Sequence, residues 1–570
     1  MGLVMKKFTL KRGRWGVFVI VLCGVFGTPG RVFGLEESTG SGGSNAIAVH
    51  QLGQTGQDVN IGLILYRNVQ TTHEAFFDKD SNGNPVGSTH AFNLDFSGDG
   101  NSAFWHDTQL AGIIASRGGV ANPNDIGVAP GANLFCARVI DNNNSASWAE
   151  FNNAIRTLIT TYNCRVIVTG FEVTGITPDG DSDWTMLYDY YASQYNTVFA
   201  NPAGNENTYV AIFGDAYNGI TTGGLRLTDP TNQFDYRWAG LISGSGPTND
   251  GRRKPDIAAP SQSQTVPTTG SDTAWTTTGS SNGETSWSVP HAAGAAALLT
   301  GLANQTPGPN DNNSVVIKAV LVNSAMPNVK NKAGVSTNPA DSNNTWQADR
   351  GYGRLDCLRA YQTLDTSEAE PNTLISQARG WGYGRLIQGQ SNVYTINITS
   401  RCRLIATLAW HRRIQWTDNS PSNGVIDPGE LSGFLANLDM KVFAPNEPNA
   451  IFSKALFGYD PSDNLVKCDL LILTPGNYTI RLENNSTNGE SANYGFAFDK
   501  HPILPGDIYP DGTGIDYVVD INDLSALMQD WLLQDSDYDQ LLSPNGIIDF
   551  ADFAVLAEVW LQIDPLYHQF

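Results

Sequence analysis

At 570 residues the chain is too long for a single hydrophobic core, and roughly two to four domains are expected. A hydrophobic content of 41% with 13 Trp marks it as globular rather than disordered. The net charge of −22 argues against nucleic-acid binding, which needs a basic face; the segment 507–570 has thirteen acids and no Lys or Arg.

The chain opens with Lys6, Lys7, Lys11, Arg12 and Arg14, followed by an uncharged run over 15–30 and by Val32-Phe33-Gly34. That order reads as a bacterial-type export signal over 1–34, so a secreted or cell-surface protein is expected. The apolar part of the signal is short for a spanning helix, and no later stretch is long and apolar enough to span a membrane. A linker is expected over 35–58, with a short Gly/Ser stretch at 38–45. Five Cys remain after Cys23, an odd number that does not make a disulfide framework, although Cys402 and Cys468 lie in strand-like runs and could pair. No Cys/His spacing suggests zinc, and no organic cofactor is implied.

Over 59–365, short β-branched runs (59–65, 133–140, 165–168 and 197–200) alternate with helical patterns at 149–162 and 184–195. Alternation of this kind predicts an α/β domain, a parallel sheet with helices on both faces. Over 366–500 the pattern changes to strands alone (393–398, 403–410, 440–443, 470–473 and 478–482), with turns at Pro475-Gly476-Asn477 and Asn484-Asn485, which predicts an all-β sandwich. The last segment, 501–570, is a duplicated acidic loop followed by a helical pattern: 518–524 leads into 525–531, and 547–553 leads into 554–560.

The candidate chemistry centres on Gly283-Glu284-Thr285-Ser286-Trp287-Ser288-Val289-Pro290-His291-Ala292-Ala293-Gly294. A serine in a turn that runs into an Ala-rich helix is exposed beside backbone N–H groups and a positive helix end. Taken alone, such a turn is an ordinary helix cap. Two further stretches stand upstream: His106-Asp107-Thr108-Gln109-Leu110-Ala111-Gly112, and Val198-Phe199-Ala200-Asn201-Pro202-Ala203-Gly204-Asn205. Together with Gly127-Val128-Ala129-Pro130-Gly131, Lys254-Pro255-Asp256 and Gly351-Tyr352-Gly353-Arg354, they resemble the subtilisin-like serine peptidases, the subtilase family. The resemblance implies a secreted endopeptidase acting on protein or peptide substrates, with Ser286 as nucleophile, His106 as base and Asn205 as oxyanion donor.

Four features depart from the family, the first being Asp107 and Gln109, which stand where Gly and His are usual. The strand 61–65 runs into Tyr66-Arg67-Asn68, which puts Tyr66 where the triad acid should stand and Asn68 where a Gly is usual. Asp107, Asp95 or Asp99 could supply the missing carboxylate, and the alternative is a catalytically degenerate subtilase fold used for binding. The cleft wall reads Thr169-Gly170-Phe171-Glu172 rather than the family's Ser-Leu-Gly-like edge, and the two dozen or so residues between Gly34 and Val59 leave no room for a propeptide.

The acids of the tail alternate in the manner an oxygen-preferring ion needs. The repeat resembles dockerin modules, in which two loop–helix units each bind structural calcium. That resemblance implies Asp507, Asp516, Asp520 and Asp523 for the first loop. For the second it implies Asp537 or Asp539 with Asn545, Asp549 and Asp552. The implied partner is cohesin-like or a cell-surface component.

Overall fold

The computed structural model describes residues 35–564, except 101, 174, 228–235, 279–281, 306–307, 309, 336–344, 420–422, 509–517, 533, 535–537, 539–541 and 544. The expected export signal and the loop acids Asp516, Asp537 and Asp539 fall outside the described residues.

The domain has eight strands, most of them buried on both faces and the second largely exposed: β1 (Asn60–Leu65), β2 (Ala91–Asp95), β3 (Asn133–Arg138), β4 (Val166–Thr169), β5 (Val198–Pro202), β6 (Ile220–Arg226), β7 (Trp238–Ala239) and β8 (Ile257–Pro260). They form one eight-stranded sheet in the order β8-β6-β5-β4-β1-β3-β2, parallel throughout except for β7, which runs antiparallel on β6. Side chains alternate across it. Ile61, Leu63 and Leu65 face one core with helices α1 (Trp105–Ala115) and α4 (Val289–Gln305), whereas Ile64 faces the other with α2 (Trp148–Thr160) and α3 (Asp183–Tyr195). Ser147 and Ser182 begin α2 and α3 by accepting the N–H of Glu150 and Thr185. The expected α/β class is the observed one, and the ends of β1, β4 and β5 open on a common edge, where such sheets place their ligands.

Helix α5 (Ser314–Asn323) joins this domain to the sandwich, and α6 (Cys357–Leu364) follows it. One layer of the sandwich is β9 (Arg379–Leu386), β15 (Ala492–Pro502), β11 (Cys402–Trp410) and β13 (Leu465–Ile472). The facing layer contains β10 (Ser391–Ile398), β14 (Gly476–Asn484) and β12 (Leu438–Phe443). Helix α5 lies against β11 and β15. Gly495 permits the contact, because a Cβ there would stand 2.2 Å from the Val315 carbonyl. Polar contacts cross as well: Lys467 Nζ donates to the Val322 carbonyl at 2.9 Å, Thr407 Oγ1 to Asn323 Oδ1 at 3.0 Å, and Asn218 Nδ2 to the Arg412 carbonyl at 2.8 Å. The hydrophobic core runs from one layer system into the other without a break.

Cys402 and Cys468 are free and buried. They lie on adjacent strands out of register, Cys402 opposite Ile472 and Cys468 opposite Ala406, so the possible bridge is not formed. In the tail, helices α7 (Ile521–Gln529) and α8 (Phe550–Glu558) enclose a small core of Val519, Leu527, Ile548 and Leu556. Both begin four residues earlier than the sequence pattern suggested. The reason is that Asp520 and Asp549 are their N-caps, each in a reciprocal capping box with Asp523 or Asp552. Among the described residues, no helix is long and apolar enough to cross a membrane.

Candidate active site

The Thr285-Ser286-Trp287 stretch forms a single 3-10 turn that feeds α4. Thr285 ties this turn to the segment after β5. Its backbone N–H donates to Asn205 Oδ1 at 2.8 Å, its hydroxyl donates to the same oxygen at 3.2 Å, and its Oγ1 accepts the Gly204 N–H at 3.2 Å. Only an oxygen can accept a backbone N–H, so these bonds fix the Asn205 amide. Its Nδ2 is thereby left as the donor available to the cleft, the arrangement an oxyanion requires. Gly204 turns the chain there with φ +94, a left-handed conformation that L side chains rarely adopt.

His106 occupies the first turn of α1, half-buried, with its ring 5.0 Å from that of Trp287, the residue after Ser286. Its Nδ1 lies 3.0 Å from Asp107 Oδ1, and Asp107 Oδ2 accepts the Arg67 N–H at 2.5 Å. Asp107 is fully buried at the start of a helix, where the dipole favours a carboxylate. Burial pushes its carboxyl up from the usual range, against the opposing pull of the His106 contact and the Arg67 N–H. A carboxylate accepting at Nδ1 selects the tautomer that carries its proton there, which leaves Nε2 to accept from a serine hydroxyl.

The carboxylate thus arrives at the end of β1 from the helix rather than from the strand. Tyr66 does not take the acid's place. Its hydroxyl bonds Asn144 Oδ1, its ring lies under the Arg67 guanidinium at 4.3 Å, and it serves as cleft wall. Asn68 is buried with its Nδ2 on the Gly100 carbonyl. Asp95 caps its own loop through Ser97, Gly98 and Gly100, and Asp99 accepts the Asn142 N–H at 2.5 Å. Of the three carboxylates considered as substitutes, Asp107 alone is bonded to the imidazole.

Ser286, His106 and Asn205 line one cleft of about 420 Å³, together with Tyr66, Phe104, Gly170, Phe171 and Glu172. The position of Glu172 beside the nucleophile is not legible from the altered cleft-edge motif, because it depends on where the chain after β4 crosses the Asn205 turn. Its Oε2 accepts the Asn205 N–H at 2.9 Å.

The tail is a different case. Asp520 and Asp549 accept the N–H groups of Asn522 and Ala551, both at 2.7 Å. The two oxygens of Asp523 accept from Ile508 and Asp520, and those of Asp552 from Ser543 and Asp549. The Asn545 Oδ1 accepts the Ile547 N–H, and Asp507 is buried. Each carboxylate oxygen keeps a second lone pair, but among the described residues no three acids, His or Cys converge on one point. Helix capping therefore accounts for Asp520, Asp523, Asp549 and Asp552, while Asp507 and Asn545 cap no helix.

The family model described as the subtilase family matches residues 69–355, just over half of the chain. The match contains His106, Asp107, Asn205 and Ser286 and begins three residues after Tyr66. A solved structure titled "Structure of Prenylagaramide maturation protease PagA" is similar at 18% identity, covering 56% of this chain and 98% of that chain with a TM-score of 0.41. With its family motifs gathered in one cleft and more than half its length matched, the chain belongs to the subtilase family.

Proposed function

We propose that the protein is an active secreted serine endopeptidase whose triad acid is Asp107. The observation that carries this reading is the bond between His106 Nδ1 and a buried Asp107 in the cleft that also holds Ser286 and Asn205. In the proposed reaction His106 Nε2 takes the Ser286 proton as the hydroxyl adds to the substrate carbonyl, and Asp107 stabilises the imidazolium that forms. Asn205 Nδ2 and the N–H of Ser286 donate to the oxyanion. The imidazolium then returns its proton to the leaving amine, and water releases the acyl group by the same steps in reverse order. Of the two reasons for a degenerate reading, the Tyr66 at the acid position is answered in this proposal by an acid from α1, and the altered cleft edge at 169–172 is answered by the substrate-binding role proposed for Glu172 below.

The test uses protein recovered from the culture medium, where export would put a chain lacking 1–34. A fluorophosphonate is expected to modify Ser286, as read by peptide mapping, and the Ser286→Ala variant to remain unlabelled. Recovery of folded protein that forms no adduct at Ser286 would reject the reading.

For the tail, the calcium expectation is retained as a proposal, with a cohesin-like or cell-surface partner as its consequence. The duplicated acidic loop–helix pattern supports it. Hydrogen exchange on the full chain is expected to show greater protection of α7 and α8 in calcium than in chelator. Equal protection would mean that the capping boxes alone hold these helices.

A further inference from the structure

We infer that Glu172 selects substrates with an arginine or lysine side chain on the acyl side of the scissile bond. This rests on the peptidase reading above. The carboxylate stands at a wall shared by two cavities, the catalytic cleft and an adjoining one of about 370 Å³ lined by Tyr66, Phe151, Phe171, Trp184 and Phe213 among others. One oxygen is held by the Asn205 N–H at 2.9 Å, and the group is half-buried. It can sit so close because residue 204 is Gly: a Cβ there would lie 2.6 Å from Glu172 Oε2.

Among the described residues, no cation acts on its carboxyl. Burial pushes the Glu172 carboxyl up, against the pull of the Asn205 N–H, and a second carboxylate, Glu206, adds to the rise. A partly desolvated carboxylate without a positive partner is costly, and a cationic ligand relieves the cost. The position sets the sign of catalysis as well. Asn205 presents its side chain to the oxyanion and its main chain to Glu172, so an anionic Glu172 opposes the negative charge that develops on the carbonyl oxygen. A cation bound at Glu172 removes that opposition.

The carbonyl under attack belongs to the acyl-side residue, and the side chain of that residue leaves from the adjacent Cα. Glu172 accepts the main-chain N–H of the oxyanion donor, so this side chain is the one that reaches it. The ring of Phe171 beside it suits the alkyl stem of an arginine or lysine, whose charged head then meets the carboxylate.

The experiment compares peptides that differ only in arginine against citrulline at that position, since citrulline keeps the shape and removes the charge. The arginine peptide is expected to be cleaved with a kcat/KM at least 30-fold higher. In Glu172→Gln the ratio is expected to fall below about 3-fold. Titration of the two peptides against the Ser286→Ala variant reads the same preference without turnover, with at least 10-fold tighter binding of the arginine peptide expected. Equal affinity, including no measurable binding of either, overturns the assignment of Glu172 even if Ser286 is labelled and active. A preference in binding with no cleavage by the parent would instead uphold Glu172 and reject the peptidase reading.

Discussion

Asp107→Asn is expected to lower kcat by about 10⁴-fold while leaving the fold intact. The direction follows from the two bonds that Asp107 makes. Its Oδ2 accepts the Arg67 N–H at 2.5 Å and its Oδ1 faces His106 Nδ1 at 3.0 Å. An asparagine must keep its oxygen on the Arg67 N–H, since an NH2 group there would oppose another donor. Its NH2 group is then turned toward Nδ1, which is forced to accept, and the ring proton moves to Nε2. The base is lost to the wrong tautomer without any change of shape. Two controls separate this from a role for Tyr66. Tyr66→Phe is expected to cost less than about 10-fold, because the hydroxyl bonds Asn144 and not the imidazole. Tyr66→Asp is expected to bring no gain in Asp107-containing protein; an increase above about 100-fold would show that the strand-borne acid is missing after all. Steady-state kinetics on one peptide substrate reads all three variants.

The second large effect is on stability. Asp256→Ala is expected to destabilise the protein by about 3–5 kcal/mol, the usual cost of leaving a buried charge without its partner. Asp256 is fully buried at the entry to β8, and its Oδ2 accepts from Lys254 Nζ and from the Thr221 N–H, both at 2.7 Å. Lys318 Nζ stands 3.9 Å from the same oxygen and donates to the carbonyls of Tyr217 and Gly219. Both lysines are only 2% exposed. Burial brings Lys318 down to about 7, so its charge is already marginal, whereas Lys254 would be left facing only the Gly219 carbonyl. The variant is expected to lower the thermal midpoint by roughly 5–15 °C. Adding Lys254→Met should restore much of the loss; failure to do so would mean that packing around β8, and not the unpaired charge, sets the cost.

Much of the architecture was legible in order along the chain because it is written in local periodicity. Apolar runs of four to eight residues became the parallel strands, and the runs at 149–162 and 184–195 became α2 and α3 with Ser caps at their starts. The sandwich strands were likewise readable from short strand-like runs bounded by turn residues. The tail shows the limit of the same reasoning. Its helices were placed after the last acid because carboxylates looked like loop residues, when Asp523 and Asp552 belong to the first turn as capping partners. Local sequence did not distinguish an ion ligand from a cap, because both uses ask for the same oxygen at the same position.

The sequence by itself determined the family motifs and their order: a serine turn before a small-residue helix, a histidine opening another helix, and an asparagine after a strand. Those assignments depend on local backbone geometry, which a few residue types impose. Only the tertiary structure showed which carboxylate bonds His106. The choice between Asp107, Asp95 and Asp99 turns on where the end of β1 passes α1, and a one-residue separation along the chain says nothing about the direction of a side chain. The same holds for Glu172, an acid in an altered edge strand until the Asn205 turn brings its N–H to within 2.9 Å. Catalysis depends on distances of a few ångströms between segments far apart in sequence, and those distances are set by packing, which local pattern does not encode.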